Sequence, residues 1–89
     1  MKTVHLKITG KVQGVFFRAT ARDIAEQYNL SGWVKNTSDN AVEATVTGNS
    51  EAVDAFIQWT KEGPDRARVE NVTVTYLELK QFKSFEVIR

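Results

Sequence analysis

Two glycines and an arginine fall close together near the start of the chain, in Gly10-Lys11-Val12-Gln13-Gly14-Val15-Phe16-Phe17-Arg18, and that combination suits the holding of an anion. Gly14 lets the backbone turn through positive φ or approach a ligand closely. The amides of Gly14, Val15, Phe16, Phe17 and Arg18 can then converge on one oxygen-rich group beside the positive end of a helix. Arg18 adds a planar, permanently charged fork that matches phosphate. No acidic residue precedes Asp23, whereas Lys2, Lys7, Lys11, Arg18 and Arg22 all do, so the local field favours negative charge. Loop chemistry alone also fits a tight turn with an ordinary surface arginine, because neither the dinucleotide glycine pattern nor the lysine-bearing phosphate loop is present. Asn36 is the other polar residue of interest, and it too has two readings. Near the end of a strand it can bond its own backbone beside a turn, or it can offer a carboxamide to a ligand.

The elements that must position these residues are legible from periodicity. Val4, Leu6, Ile8 and Val12 lie on one side of a period-two segment, with Thr3, His5, Lys7, Thr9 and Lys11 on the other, which predicts a half-buried strand. His5, the sole histidine, is on the wet side, where solvation explains it better than catalysis. Phe17, Ala21, Ile24, Ala25 and Tyr28 repeat at helical spacing, and Asn29 suits the left-handed residue that closes a helix. Phe17 is thus a core residue, whereas Phe16 points elsewhere and can line the mouth of the loop. Gly32 to Thr37 and Ala41 to Gly48 read as a hairpin turning at Asp39-Asn40. Ser50 is expected to cap a second helix, with Ala52, Val53, Phe56, Ile57 and Trp59 on its apolar side, stopped by Gly63-Pro64. Trp59 reads as a side chain at the rim of the core. Val69 to Leu79 alternates again, with Val72, Val74 and Tyr76 on one side, and about Ser84 to Ile88 forms a last short strand.

This order, βαββαβ plus a short C-terminal strand, predicts an α+β fold of the ferredoxin-like, split βαβ type: an antiparallel sheet with both helices on one face and solvent on the other. At 89 residues, 42% apolar and 26% charged, the composition fits one ordered domain over 1–89. The net charge of +1 argues against a dominant nucleic-acid surface. An RNA-binding sheet would also need aromatics on its open face, where His5, Lys7, Glu43, Thr45 and Thr47 are expected instead. Zero cysteines exclude disulfides, thiolate nucleophiles and Cys-ligated metals, and one histidine cannot form a histidine cluster. No apolar run is long enough for a signal peptide or membrane span. A cytoplasmic, monomeric protein is the expectation.

The stretch Gly10 to Arg18, read as G-x-V-Q-G-V-x-F-R, together with Gly32-Trp33-Val34-Lys35-Asn36, Asp39 and Val42, closely resembles the acylphosphatase family. The resemblance extends through Gly63-Pro64, Ala67 and Val69, and departs at Asn40, where the family usually has glycine. It implies a hydrolase that splits the carboxyl-phosphate bond of small-molecule acyl phosphates without metal or other cofactor. Inorganic phosphate would be both product and competitive inhibitor. By the same resemblance Arg18 binds the phosphoryl group, Asn36 orients the attacking water, and the amides from Gly14 to Arg18 form the cradle. A non-catalytic anion-binding or regulatory module with the same fold and loop is the alternative.

Overall fold

Val4, Leu6 and Ile8 are fully buried, and the strand that carries them runs through the middle of the molecule. The computed structural model describes all residues from Met1 to Arg89. Its elements are β1 (Lys2–Lys11), α1 (Phe17–Gln27), β2 (Ser31–Asn36), β3 (Val42–Gly48), α2 (Ser50–Glu62), β4 (Arg68–Leu77) and β5 (Phe85–Ile88). They form a sheet in the order β4-β1-β3-β2-β5. β1 pairs antiparallel with β3 and β4, and β2 pairs antiparallel with β3, so the expected ferredoxin-like arrangement is present. β5 adds to the free edge of β2 in the parallel sense, Gly32 opposite Phe85, which makes the sheet mixed. Periodicity marks a strand but carries no information about its direction in the sheet.

The inward residues of β1 and of β3 (Val42, Ala44, Val46) join Phe17, Ala21 and Ala25 of α1 and Val53, Phe56 and Ile57 of α2 in one apolar cluster. Phe56 is the largest fully buried side chain, and burial of a side chain of this size is worth about 1.5–3 kcal/mol. Its ring lies 5.9 Å from Trp59 and 6.1 Å from Phe85, so the short β5 is fastened to the second helix through aromatic packing. Tyr28 and Tyr76, read as apolar-side residues, are 43% and 66% exposed. Tyr28 sits at the end of α1, and Tyr76 on the edge strand, where the helical layer no longer covers them.

Two local expectations change. Asn49, not Ser50, caps α2: its Oδ1 accepts the Glu51 amide at 2.9 Å, and Ser50 becomes the first helical residue. The sheet's open face is also less wet than alternation suggests. Thr3, Thr45 and Thr47 are buried, with the Thr3 and Thr47 hydroxyls 2.7 Å apart. The Lys80 amide donates to Thr3 Oγ1 at 2.9 Å, so the segment after β4 folds over that end of the sheet. His5 Nδ1 lies 3.1 Å from Thr45 Oγ1, its ring 6.0 Å from Trp33. Hydroxyls satisfied in this way can be buried at little cost.

The β2–β3 connection is tied down from both sides. Asn40 takes φ 68°, the left-handed conformation that glycine adopts freely and asparagine tolerates. The Thr37 amide donates to the Ala41 carbonyl at 2.9 Å, and the Ala41 amide returns a bond to Thr37 Oγ1 at 3.0 Å. Lys7 Nζ on β1 reaches Asp39 Oδ2 at 2.8 Å, and the Thr37 hydroxyl also donates to Asp39. The hydrogen bond from Lys7, then that from Thr37, holds the Asp39 carboxyl down to about 2 from its ordinary 3.8. A depressed carboxyl stabilises the fold above its unfolded value and loses that contribution as pH falls through the folded one. Wild type should therefore lose thermal stability between pH 4 and pH 2 more steeply than Asp39→Asn, and added salt should shrink the difference because the pair is exposed. A gap in melting temperature that stayed constant over that range would show that the charge of Asp39 plays no part.

Candidate active site

The connection from β1 to α1 begins with an irregularity. The register of β1 against β4 slips between Thr9 and Gly10, and Gly10 has φ 124° with its missing Cβ direction only 2.1 Å from the Arg68 carbonyl oxygen. No side chain fits there, and the bulge turns the chain out of the sheet toward the helix. Gly14 follows at φ 74° and Phe16 at φ 65°, with Val15 between them on the negative side. Alternation of this kind points successive amides into one concavity. No backbone N–H from Gly14 to Ala19 donates to another main-chain group, and no side chain caps α1 or places an acid in its first turn. The donors of this helix start are therefore all available.

A left-handed bulky residue costs roughly 1–2 kcal/mol, so something must hold Phe16. Thr20 does so twice. Its amide donates to the Phe16 carbonyl at 3.1 Å and its hydroxyl at 2.8 Å, while the next residue, Phe17, is buried and packs 5.1 Å from Trp59. The Phe16 ring is left 72% exposed, at the mouth of the loop as its position opposite Phe17 predicts. Around Gly14 there is no protein atom within 4 Å of the Cβ direction. Its positive φ is required by the turn, and the space beside it is open.

Arg18 and Asn36 meet in this place. Both line a cleft of about 340 Å³, together with Gly14, Phe16 and Phe17. Arg18 comes from the first turn of α1 and Asn36 from the last residue of β2. One guanidinium nitrogen of Arg18 lies 3.5 Å from the Ile88 carbonyl, a long contact that leaves most of its donors free. No carboxylate pairs with it. No Asp, Glu, His or Cys side chain lines the cleft. Its chemistry is that of a cationic, donor-rich pocket with one carboxamide at its side; of the six residues expected from the sequence, Gly14, Phe16, Phe17, Arg18 and Asn36 line it and Val15 lies in its loop.

Three contributions were not anticipated. β5 supplies Val87 and, just beyond it, Arg89 to the lining. Arg22, one turn after Arg18, lines it too. Gln13 does something different: its Nε2 donates to the Thr37 carbonyl at 2.9 Å and to the Ala41 carbonyl at 2.8 Å. One side chain thus bolts the glycine loop to the hairpin at the residue following Asn36, and fixes the distance between the two halves of the cleft. Nothing in the local sequence points to partners so far along the chain.

A ferredoxin-like sheet with a cationic cleft at the β1–α1 junction defines a class of small phosphoryl-handling protein. The acylphosphatase family model matches residues 4–87, and the chain belongs to the acylphosphatase family. It is 48% identical over 86 residues to an acylphosphatase of Thiobacillus denitrificans, covering 97% of this chain and 96% of that protein. Its structure superposes on that of an acylphosphatase from Coxiella burnetii with TM-score 0.94 at 38% identity, covering 98% of this chain and 92% of that one. For acylphosphatase from Bacillus subtilis the TM-score is 0.96 at 31% identity over the whole of both chains. The activity is accordingly that of a hydrolase acting on acyl phosphates.

The double bond from Gln13 should matter more to turnover than to folding. Each hydrogen bond contributes about 1 kcal/mol net, so Gln13→Ala should lose about 1–2 kcal/mol in urea unfolding. In fully folded protein its kcat should fall about tenfold, because the loop and Asn36 are no longer held in register. Gln13→Glu should be worse, since a carboxylate can only accept and would face two carbonyls. Unchanged turnover per folded molecule in Gln13→Ala would remove the clamp from the account of the site.

Proposed function

We propose that Arg18 and the amides from Gly14 to Arg18 bind the phosphoryl group of an acyl phosphate, while Asn36 places a water in line behind phosphorus. The observation that carries this reading is the convergence of unbonded amides, an unpaired guanidinium and a single carboxamide on one cleft. The water oxygen forms a bond to phosphorus as the bond from phosphorus to the acyl oxygen breaks. Carboxylate and inorganic phosphate leave, and the water's protons pass to the phosphate and solvent. The departing carboxylate has a conjugate acid near a glutamic acid, with pKa about 4.3, so it needs no proton from the enzyme near neutral pH. Catalysis then reduces to positioning and to stabilising charge on the phosphoryl oxygens, for which a guanidinium and oriented amides suffice without a metal ion. The Asn36 amide does not accept a proton at this pH, so its work is geometric.

On this reading inorganic phosphate competes with substrate, and residues 1–89 act as one catalytic unit. No helix is long and apolar enough to cross a membrane. A cytoplasmic monomer is the state that suits the small size and the mixed surface charge.

Hydrolysis of benzoyl phosphate in the presence of chelator tests the reading directly, and a protein that binds phosphate but leaves this substrate intact would be an anion-binding module instead. Arg18→Ala should lower kcat/KM by about a thousandfold and abolish phosphate inhibition; Arg18→Lys should also fail, since a point charge does not replace the fork. Asn36→Ala should lower kcat about a hundredfold while the inhibition constant for phosphate changes less than about threefold, the signature of an interaction made mostly in the transition state. Equal losses in both quantities would move Asn36 into the phosphate site.

A further inference from the structure

We propose that Thr20 is a positioning residue for the reaction: its hydroxyl aims the Phe17 amide into the cleft through the peptide group that joins Phe16 to Phe17. The inference rests on the phosphoryl site proposed above and adds to it a residue that does not line the cleft. A peptide group is planar, with its C=O and N–H pointing in opposite directions. Whatever fixes the Phe16 carbonyl therefore fixes the Phe17 N–H. Phe17 is the first residue of α1, so its N–H has no acceptor within the helix and points out of the helix start. The cleft lies on that side, and Phe17 borders it.

Little else restrains this peptide group. Phe16 stands at φ 65°, where a side chain crowds its own backbone, and its exposed ring contributes no packing to hold it. The Thr20 amide donates to the Phe16 carbonyl at 3.1 Å, which is the first ordinary bond of a helix. The hydroxyl adds a second at 2.8 Å. α2 supplies a comparison within the same chain: Val53 gives its amide to the Asn49 carbonyl at 2.9 Å and has no hydroxyl to add. In a helix interior, a threonine hydroxyl turned back on the fourth carbonyl before it is slightly destabilising. At the start of α1 the same bond falls on a peptide group whose other end faces the phosphoryl site. Two donors on one carbonyl also polarise the peptide, which strengthens its N–H as a donor to a phosphoryl oxygen.

The test compares Thr20→Val, which keeps the shape of the side chain and removes its hydroxyl, with Thr20→Ser, which keeps the hydroxyl. Thr20 is only half-buried, so both variants should fold, and rates are taken per folded molecule. Thr20→Val should lower kcat/KM for benzoyl phosphate about tenfold and raise the inhibition constant for inorganic phosphate about fivefold, since the cradle amides meet both ligands. Thr20→Ser should stay within about twofold of wild type in both quantities. NMR follows the amide itself: saturating phosphate should move the Phe17 amide proton downfield in wild type and in Thr20→Ser, and clearly less in Thr20→Val, while the Val15 amide responds alike in all three. Wild-type kinetics in Thr20→Val, or an equal loss in Thr20→Ser, overturns the proposal and leaves the phosphoryl site intact. Lost turnover with an unchanged response at Phe17 overturns it too, since the hydroxyl would then be merely structural. A wild-type protein in which phosphate moves none of the loop amides would instead overturn the site on which the proposal rests.

Discussion

Everything at the cleft depends on a set of main-chain donors that the fold leaves unused. A helix start ordinarily satisfies its first amides with a capping side chain or with water. Here the residue in the capping position is Phe16, which has no polar atom to offer, and its backbone is in a left-handed conformation. The strain is maintained by Thr20, which bonds the Phe16 carbonyl through both amide and hydroxyl, and by the burial of Phe17. Strain of this sort persists only where surrounding structure over-determines it, and it concentrates where function needs a fixed shape. The contrast with α2 is instructive: there Asn49 supplies an ordinary cap and Glu51 an acid in the first turn, and no cleft forms.

The rest of the molecule fixes what faces those donors. The bulge at Gly10 directs the loop, β2 delivers Asn36, and β5 fills the edge beside β2 so that the Ile88 carbonyl lies near Arg18. Gln13 connects loop to hairpin, and the hairpin is in turn held to β1 through Asp39 and Lys7. The site is thus bordered by three segments far apart in sequence, and each is anchored by contacts outside the cleft. That division frees Arg18 and Asn36 from structural duties.

Much of this was legible before the coordinates. Residues whose significance is local, such as Gly14 at its positive φ, Asn29 closing α1 and Gly63 stopping α2, announce themselves through backbone chemistry. Alternation located the inward faces of β1 and β3, because burial on one side of a strand imposes a period of two. Arg18 and Asn36 were visible as types in a pattern, and the family resemblance brought them together before the fold did. What could not be read was long-range. Gln13 finds its carbonyls 24 and 28 residues away, β5 could have entered the sheet in either direction, and the buried Thr3 is bonded by the amide of Lys80, 77 residues on. The Asn49 cap was missed by one position, since asparagine and serine are near-equal choices and the helix that follows does not distinguish them.

The same reasoning bears on why an asparagine can stand where the family usually has glycine. At φ 68° a β-branched or bulky residue at position 40 would strain the turn, whereas asparagine carries a small penalty there. The turn's geometry does not depend on Asn40 alone. The Thr37 amide donates to the Ala41 carbonyl, its hydroxyl oxygen accepts the Ala41 amide, and its carbonyl accepts from both Asn40 and Gln13. A backbone held by this many partners tolerates a less permissive residue at its tip. Because Asn36 precedes Thr37 directly, the bonds that hold the turn also hold the backbone that carries the carboxamide.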